Sequence, residues 1–214
     1  MSDIFQEVDE EIRHERYAKL WKKYGTYVIA LAVLVVVGVA GYSGWRDYRI
    51  SAREADGEAF TAALGTFESG DNAAAAEAFA KLADSAGAGY AVLARLQVGL
   101  AQSRSGRRDL AAASFEGVAD DGSADPLFRD LAVLLLANET LDDADPARLT
   151  ARLQPLTVET SPWRHTAREL TALLAIRAGE MDRARELFTA LSDDDTAPIG
   201  IRGRATEILV TLGG

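Results

Sequence analysis

Two histidines are the first residues to ask about catalysis. His14 lies among the charges of the N-terminal segment and His165 stands alone in a predicted helix. No second histidine accompanies either, so a metal-binding pair, an H-E-x-x-H helix and a triad base are all missing. Both read as exposed helical residues. The chain has no cysteine, which removes disulfides, thiolate zinc sites and cysteine nucleophiles. It has neither a Walker lysine motif nor G-x-G-x-x-G, and Gly87-Ala88-Gly89 is a lone loop signal between two helices. Asp193-Asp194-Asp195 lacks the glycine and terminal glutamate of a calcium loop and reads as a solvated acidic loop, as do Asp120-Asp121 and Asp142-Asp143. These residues predict a protein that is not an enzyme, with no metal, no cofactor and no small-molecule substrate.

The elements that would have to position any site point elsewhere. In 214 residues there are 33 acidic and 23 basic side chains, a net charge of −10. Phosphate neutralisation needs clustered Lys and Arg, so a nucleic-acid partner is excluded. Residues 25–45 run 21 residues without a charge. At a helical rise of about 1.5 Å per residue they span roughly 30 Å, the hydrocarbon thickness of a bilayer. Aromatics stand at both ends, Trp21, Tyr24 and Tyr27 at one and Tyr42, Trp45 and Tyr48 at the other. Small residues at Gly38-Val39-Ala40 would suit a peptidase, but the long acidic segment ahead is unlike the short positive start of a signal peptide. A retained transmembrane helix over 25–45 is the expectation, with Trp21, Lys22, Lys23, Tyr24, Tyr42 and Trp45 as its interfacial anchors.

Arg13, Arg16, Lys19, Lys22 and Lys23 flank the span on one side, and Arg46, Arg49 and Arg53 on the other. The bias predicts a cytoplasmic N-terminus. Residues 1–24 read as a cytoplasmic amphipathic segment, with Ile4, Val8, Ile12, Tyr17, Leu20, Trp21 and Tyr24 at helical spacing.

From 46 to 214 the pattern is all-α and repetitive. Gly70, Gly106 and Gly179 are each followed five residues later by alanine (Ala75, Ala111, Ala184) and nine later by phenylalanine (Phe79, Phe115, Phe188). Leu82, Val118 and Leu191 come three further on, and a small residue precedes each glycine by seven (Ala63, Gly99, Ala172). This spacing predicts helix hairpins: the glycine ends the first helix in a left-handed conformation, the small residues let the helices approach, and the Phe fills the space between one hairpin and the next. Gly106 to Gly179 is about twice Gly70 to Gly106, so a degenerate unit belongs between them, with helices over Pro126–Leu141 and Pro146–Val158. A last helix, Ile199–Leu212, caps the array. The expected fold is an α-solenoid of degenerate tetratricopeptide-like hairpins. Phe60, Phe67, Leu96 and Ser103 are candidates either to line its inner surface or to belong to its core.

Residues 1–49 hold seven acids and seven bases, so the whole −10 belongs to the repeat region. Its excess acid keeps a tethered domain soluble and away from an anionic membrane surface.

The segment from Glu10 to Gly25, with Trp21-Lys22-Lys23-Tyr24-Gly25 leading into the apolar span, and the exit Gly44-Trp45-Arg46-Asp47-Tyr48 resemble the YfgM-like family of ancillary SecYEG translocon subunits. The resemblance implies a single-pass inner-membrane protein of a Gram-negative bacterium with a periplasmic repeat domain. It further implies partnership with the SecYEG translocon and a membrane-anchored periplasmic chaperone, in assistance to translocated proteins. The alternative expectation is a scaffold for another envelope complex, in division or cell-wall assembly.

Overall fold

The computed structural model describes residues 3–213, with side chains for residues 21–27 and 29–213. Nine α-helices account for the described regular structure: α1 (Asp3–Glu68), α2 (Asn72–Ser85), α3 (Ala88–Arg104), α4 (Arg108–Ala119), α5 (Pro126–Glu139), α6 (Pro146–Leu153), α7 (Arg164–Arg177), α8 (Met181–Asp193) and α9 (Ile199–Thr211). A 3₁₀ turn at Gln154–Leu156 follows α6, and no strand occurs among the described residues. The chain divides into two compact units, Met1–Glu54 and Ala55–Gly214.

In the first unit, every side chain described is exposed; Gly25 alone is buried. The aliphatic residues are no exception: Leu34 is 69% exposed and Val36 66%. In water such a surface is unfavourable by about 25 cal/mol for each Å². By length and composition this helix is apolar and long enough to cross a membrane, a property that a signal sequence near the N-terminus shares. Trp21 folds back over Gly25, where a β-carbon would lie 3.3 Å from the indole. Lys23 stands 5.3 Å from the centre of the Tyr24 ring and Arg49 4.8 Å from that of Trp45. The apolar pattern read at Ile4, Val8, Ile12, Tyr17 and Leu20, the bases Arg13, Arg16 and Lys19, and His14 lie outside the described side chains.

The second unit is built from helix pairs. Its core falls into four clusters, each drawing on three successive helices. Ala63, Phe79 and Ala94 belong to the first cluster; Leu96, Phe115 and Ala132 to the second; Leu134, Leu153 and Leu170 to the third; Ala172, Phe188 and Ile201 to the fourth. Each of α3, α5 and α7 therefore presents one face to the cluster before it and another to the cluster after it. Such a helix must be apolar on two sides, which explains why α5 reads Leu-Ala-Val-Leu-Leu-Leu-Ala over 131–137.

Sequence also sets where the helices begin and end. Asp71, Asp125 and Asp145 accept hydrogen bonds from Ala74 N, Leu127 N and Ala147 N at the starts of α2, α5 and α6. Pro126 and Pro146 occupy first helical positions, where no N–H is needed. The predicted helix to Val158 is corrected: α6 stops at Leu153. Pro155 has no N–H to continue the ladder and its ring opposes the carbonyl four residues back, so the chain tightens into a 3₁₀ turn. Likewise α5 ends at Glu139 rather than Leu141.

Candidate partner-binding face

The repeat positions show how the helix pairs are held. Gly70, Gly106 and Gly179 have φ of +91°, +74° and +77°. After α3, Gly106 N donates to Ser103 O and Arg107 N to Gln102 O; after α7, Gly179 N donates to Ile176 O and Glu180 N to Ala175 O. This paired pattern satisfies carbonyls that the helix end leaves open. Ala75, Ala111 and Ala184 are fully buried, as are Phe79 and Phe188, and Phe115 retains 1% exposure. Each Phe shares its cluster with the small-residue helix of its own pair as well as with the next first helix. The tightest case is the second pair, where a β-carbon on Gly99 would stand 2.4 Å from Phe115 Cε1. The Phe thus packs within its own pair as well as against the next.

The degenerate unit keeps the same register. If Ala144 takes the glycine position, Ala137 stands seven before it, Leu149 five after, Leu153 nine after and Leu156 twelve after. All four of those residues are buried in one cluster. Leucine has replaced both alanine and phenylalanine of the second helix. The signal that could have revealed this was the unchanged spacing of the small residue and the last aliphatic.

With the second helices α2, α4, α6 and α8 engaged in this way, the first helices leave one face whose character changes along the chain. Near its start Phe60 packs against Phe79 and Tyr90, ring centres 5.4 and 5.8 Å apart. Phe67 is buried, with the Arg104 guanidinium 4.0 Å above its ring. Ser103 Oγ donates to Glu139 Oε2 at 2.6 Å, and Arg108 Nε lies 3.3 Å from Glu139 Oε1. Of the residues expected to line an inner surface, Phe67 and Leu96 are core, Phe60 is half-buried in the aromatic group and Ser103 is tied to Glu139.

Further on, α5, α7 and α9 border an open trough of about 550 Å³. Leu131, Leu135, Trp163, Thr166, Leu173 and Ile208 line it and are half-buried, and Asn138 is exposed. Glu169, 8% exposed, is its one buried carboxylate among the described residues. Arg204 from α9 grips it with both arms, Nε to Oε1 at 2.6 Å and Nη2 to Oε2 at 2.7 Å. That hydrogen bonding pushes the Arg204 guanidinium above its ordinary value. On another side of the unit, short α6 leaves a second opening of about 730 Å³ against α8, floored by Leu174 and Ala175.

Two readings of polar residues are corrected. His165 is buried, 7% exposed, and its Nε2 lies 3.0 Å from Asp194 Oδ2. Asp194 is consequently no solvated loop acid: it accepts from Thr196 N at 2.8 Å and from the Thr196 hydroxyl. Those Thr196 hydrogen bonds, with smaller help from His165, hold its carboxyl down at about 2. Among the described residues no group of three metal-ligating side chains occurs.

Compared with known proteins, the tetratricopeptide repeat-like domain family matches residues 18–199. No curated protein matches the chain. The matched stretch takes in every predicted glycine, alanine and phenylalanine of the repeat, and by that match the chain belongs to the tetratricopeptide repeat-like domain family.

Proposed function

We propose that this chain is a membrane-anchored, non-enzymatic protein-binding module, built as an α-solenoid and ancillary to the SecYEG translocon. In this reading residues 1–24 are cytoplasmic, 25–45 cross the inner membrane and 46–214 form a periplasmic repeat domain. The domain links the translocon to a membrane-anchored periplasmic chaperone and assists proteins as they emerge. Domains of this family typically serve as non-catalytic protein-interaction modules, which supports the general part of the proposal. The carrying observation is the first-helix face, where a largely apolar trough stays open beside helices that are otherwise packed on their neighbours. The translocon assignment rests on the lead-in Trp21-Lys22-Lys23-Tyr24-Gly25 and the aromatic exit at Trp45 and Tyr48.

Purification of the full chain in mild detergent should recover translocon subunits together with a membrane-anchored chaperone. Recovery of neither, with the translocon intact, would sink the assignment. Recovery of division or cell-wall assembly proteins instead would move the same module to another envelope complex.

A further inference from the structure

The last helix ends as a first helix does. Gly213 has φ of +79°, and its N–H donates to Val210 O at 3.3 Å, the bond that Gly70, Gly106 and Gly179 make to Phe67 O, Ser103 O and Ile176 O. It follows Gly179 by 34 residues, close to the 36 between Gly70 and Gly106. α9 thus stands in first-helix register. In every earlier unit the residues fourteen, ten, seven and three before the glycine position are buried or half-buried, as Val92, Leu96, Gly99 and Ser103 are in the second. The one seven before is the small residue that shares a cluster with the large side chain of its second helix: Ala63 with Phe79, Ala137 with Leu153, Ala172 with Phe188. At the same four positions α9 carries Ile199, Gly203, Thr206 and Val210, one stripe of the helix, and all four are exposed. Ile199 is 81% and Val210 73% exposed, whereas no other large apolar side chain described in the second unit exceeds 50%. A helix that only closed the array would carry polar residues there.

We infer that α9 is an open first helix, and that this face receives an amphipathic helix of a partner protein in the place of a second helix. The inference rests on the protein-binding reading above and adds the class of partner and its seat. The chemistry of the occupant is written in the chain's own pairs. Each second helix sets two apolar side chains four residues apart against its first helix, Ala and Phe in three pairs and Leu149 and Leu153 in the other. α9 offers the matching recess. Gly203 has no side chain and nothing within 4 Å of where a β-carbon would stand, and Ile199 and Val210 bound the gap along the helix. The Thr206 hydroxyl donates to Arg202 O and so needs no outside partner. Arg202 and Glu207 flank the stripe, and Arg202 Nη1 lies 3.3 Å from Asp195 Oδ1. A second copy has no such helix to lend, since its Phe79, Phe115, Leu153 and Phe188 are at most 1% exposed within their own pairs. Two α9 helices face to face would set small residues against small ones, with no large side chain to fill the gap.

The test uses the full chain in phospholipid nanodiscs and a fluorescent peptide copying α8, Met181–Asp193. A covalent brace between positions 182 and 186, both exposed in α8, holds the peptide helical. It should bind saturably, and its Phe188→Ala form should bind about tenfold more weakly or worse. In the chain, Thr206→Arg should abolish binding by filling the recess, and Thr206→Ala, which gives α9 the residue of the first and last pairs, should keep it. Thr206 is exposed, so Thr206→Arg should melt like the parent. Should it melt lower, Gly203→Gln blocks the same recess from open space and repeats the test. The proposal is overturned by absence of saturable binding below about 1 mM, by equal binding of the Phe188→Ala peptide, by binding that neither recess variant weakens, or by its loss in Thr206→Ala. A dimer of the full chain in sedimentation that Thr206→Arg dissociates would give the face to a second copy and also overturn it. Translocon partners recovered from cells by a chain that binds no such peptide refute the α9 face alone. Peptide binding in the predicted order without translocon recovery refutes only the assignment to the translocon.

Discussion

At Gly99 a methyl group has nowhere to go, because Phe115 Cε1, Cδ1 and Cζ would lie 2.4–2.8 Å from it. Gly99→Ala should therefore cost about 1–3 kcal/mol, the usual penalty for overfilling a packed core, measured as a lower urea midpoint. Adding Phe115→Leu should recover much of that loss, because the third pair already sets Leu153 in one cluster with Ala137. A second residue-scale expectation concerns acid. Asp194 titrates at about 2 in the folded protein against an ordinary value of 3.8. The unfolded chain takes up its proton first as pH falls, so the stability this group supplies is complete above about pH 4 and is lost toward pH 2. Asp194→Asn should flatten the fall in melting temperature over that window; an unchanged slope would refute the assignment. The main partner, Thr196, is a near neighbour in sequence, whereas His165 lies 29 residues away and only the fold brings it within reach.

Helix ends were legible wherever a residue type carries its own backbone preference. Gly106 and Gly179 could be placed because a left-handed residue after a helix favours glycine, and Pro126 and Pro146 because proline suits a first turn. The end of α6 is less legible, because the helical spacing of Leu149, Leu153 and Leu156 runs without a break across Pro155, which stops the helix. Substitution at the turns should separate the two kinds of glycine. Gly106→Ala and Gly179→Ala each force a β-carbon into positive φ and should destabilise by about 1–2 kcal/mol. Gly117→Ala, inside α4 with open space around it, should stabilise by up to about 1 kcal/mol. Thermal melts of the three variants check both signs. Loss of the α6 cap by Asp145→Ala should cost about 1 kcal/mol, an appreciable share for a helix of eight residues.

For the whole molecule, the hairpin array was readable because each unit repeats the same few positions. The trough was not, because it depends on which side of α5, α7 and α9 stays free after packing. Leu131 and Leu135 look no different in sequence from the buried Leu134 and Leu136. Orientation in a membrane follows from charge outside the apolar run. If the proposed topology holds, replacing Lys22 and Lys23 by Glu, which reduces the N-terminal flank from five bases to three, should invert part of the population, detected as a change in protease access to the repeat domain from the periplasmic side. An unaltered protection pattern would show that other features set the topology. The sharing of each first helix between two clusters also bears on how such a chain can change length over generations. Excision of residues 71–106, 36 in all, joins Gly70 to Arg107 and sets Phe115 against Ala63, a pairing of types the molecule already uses. Excision of half that length would remove one helix of a pair and break the alternation of first and second helices on which each cluster is built. Insertions and deletions that survive in relatives should therefore come in whole hairpins.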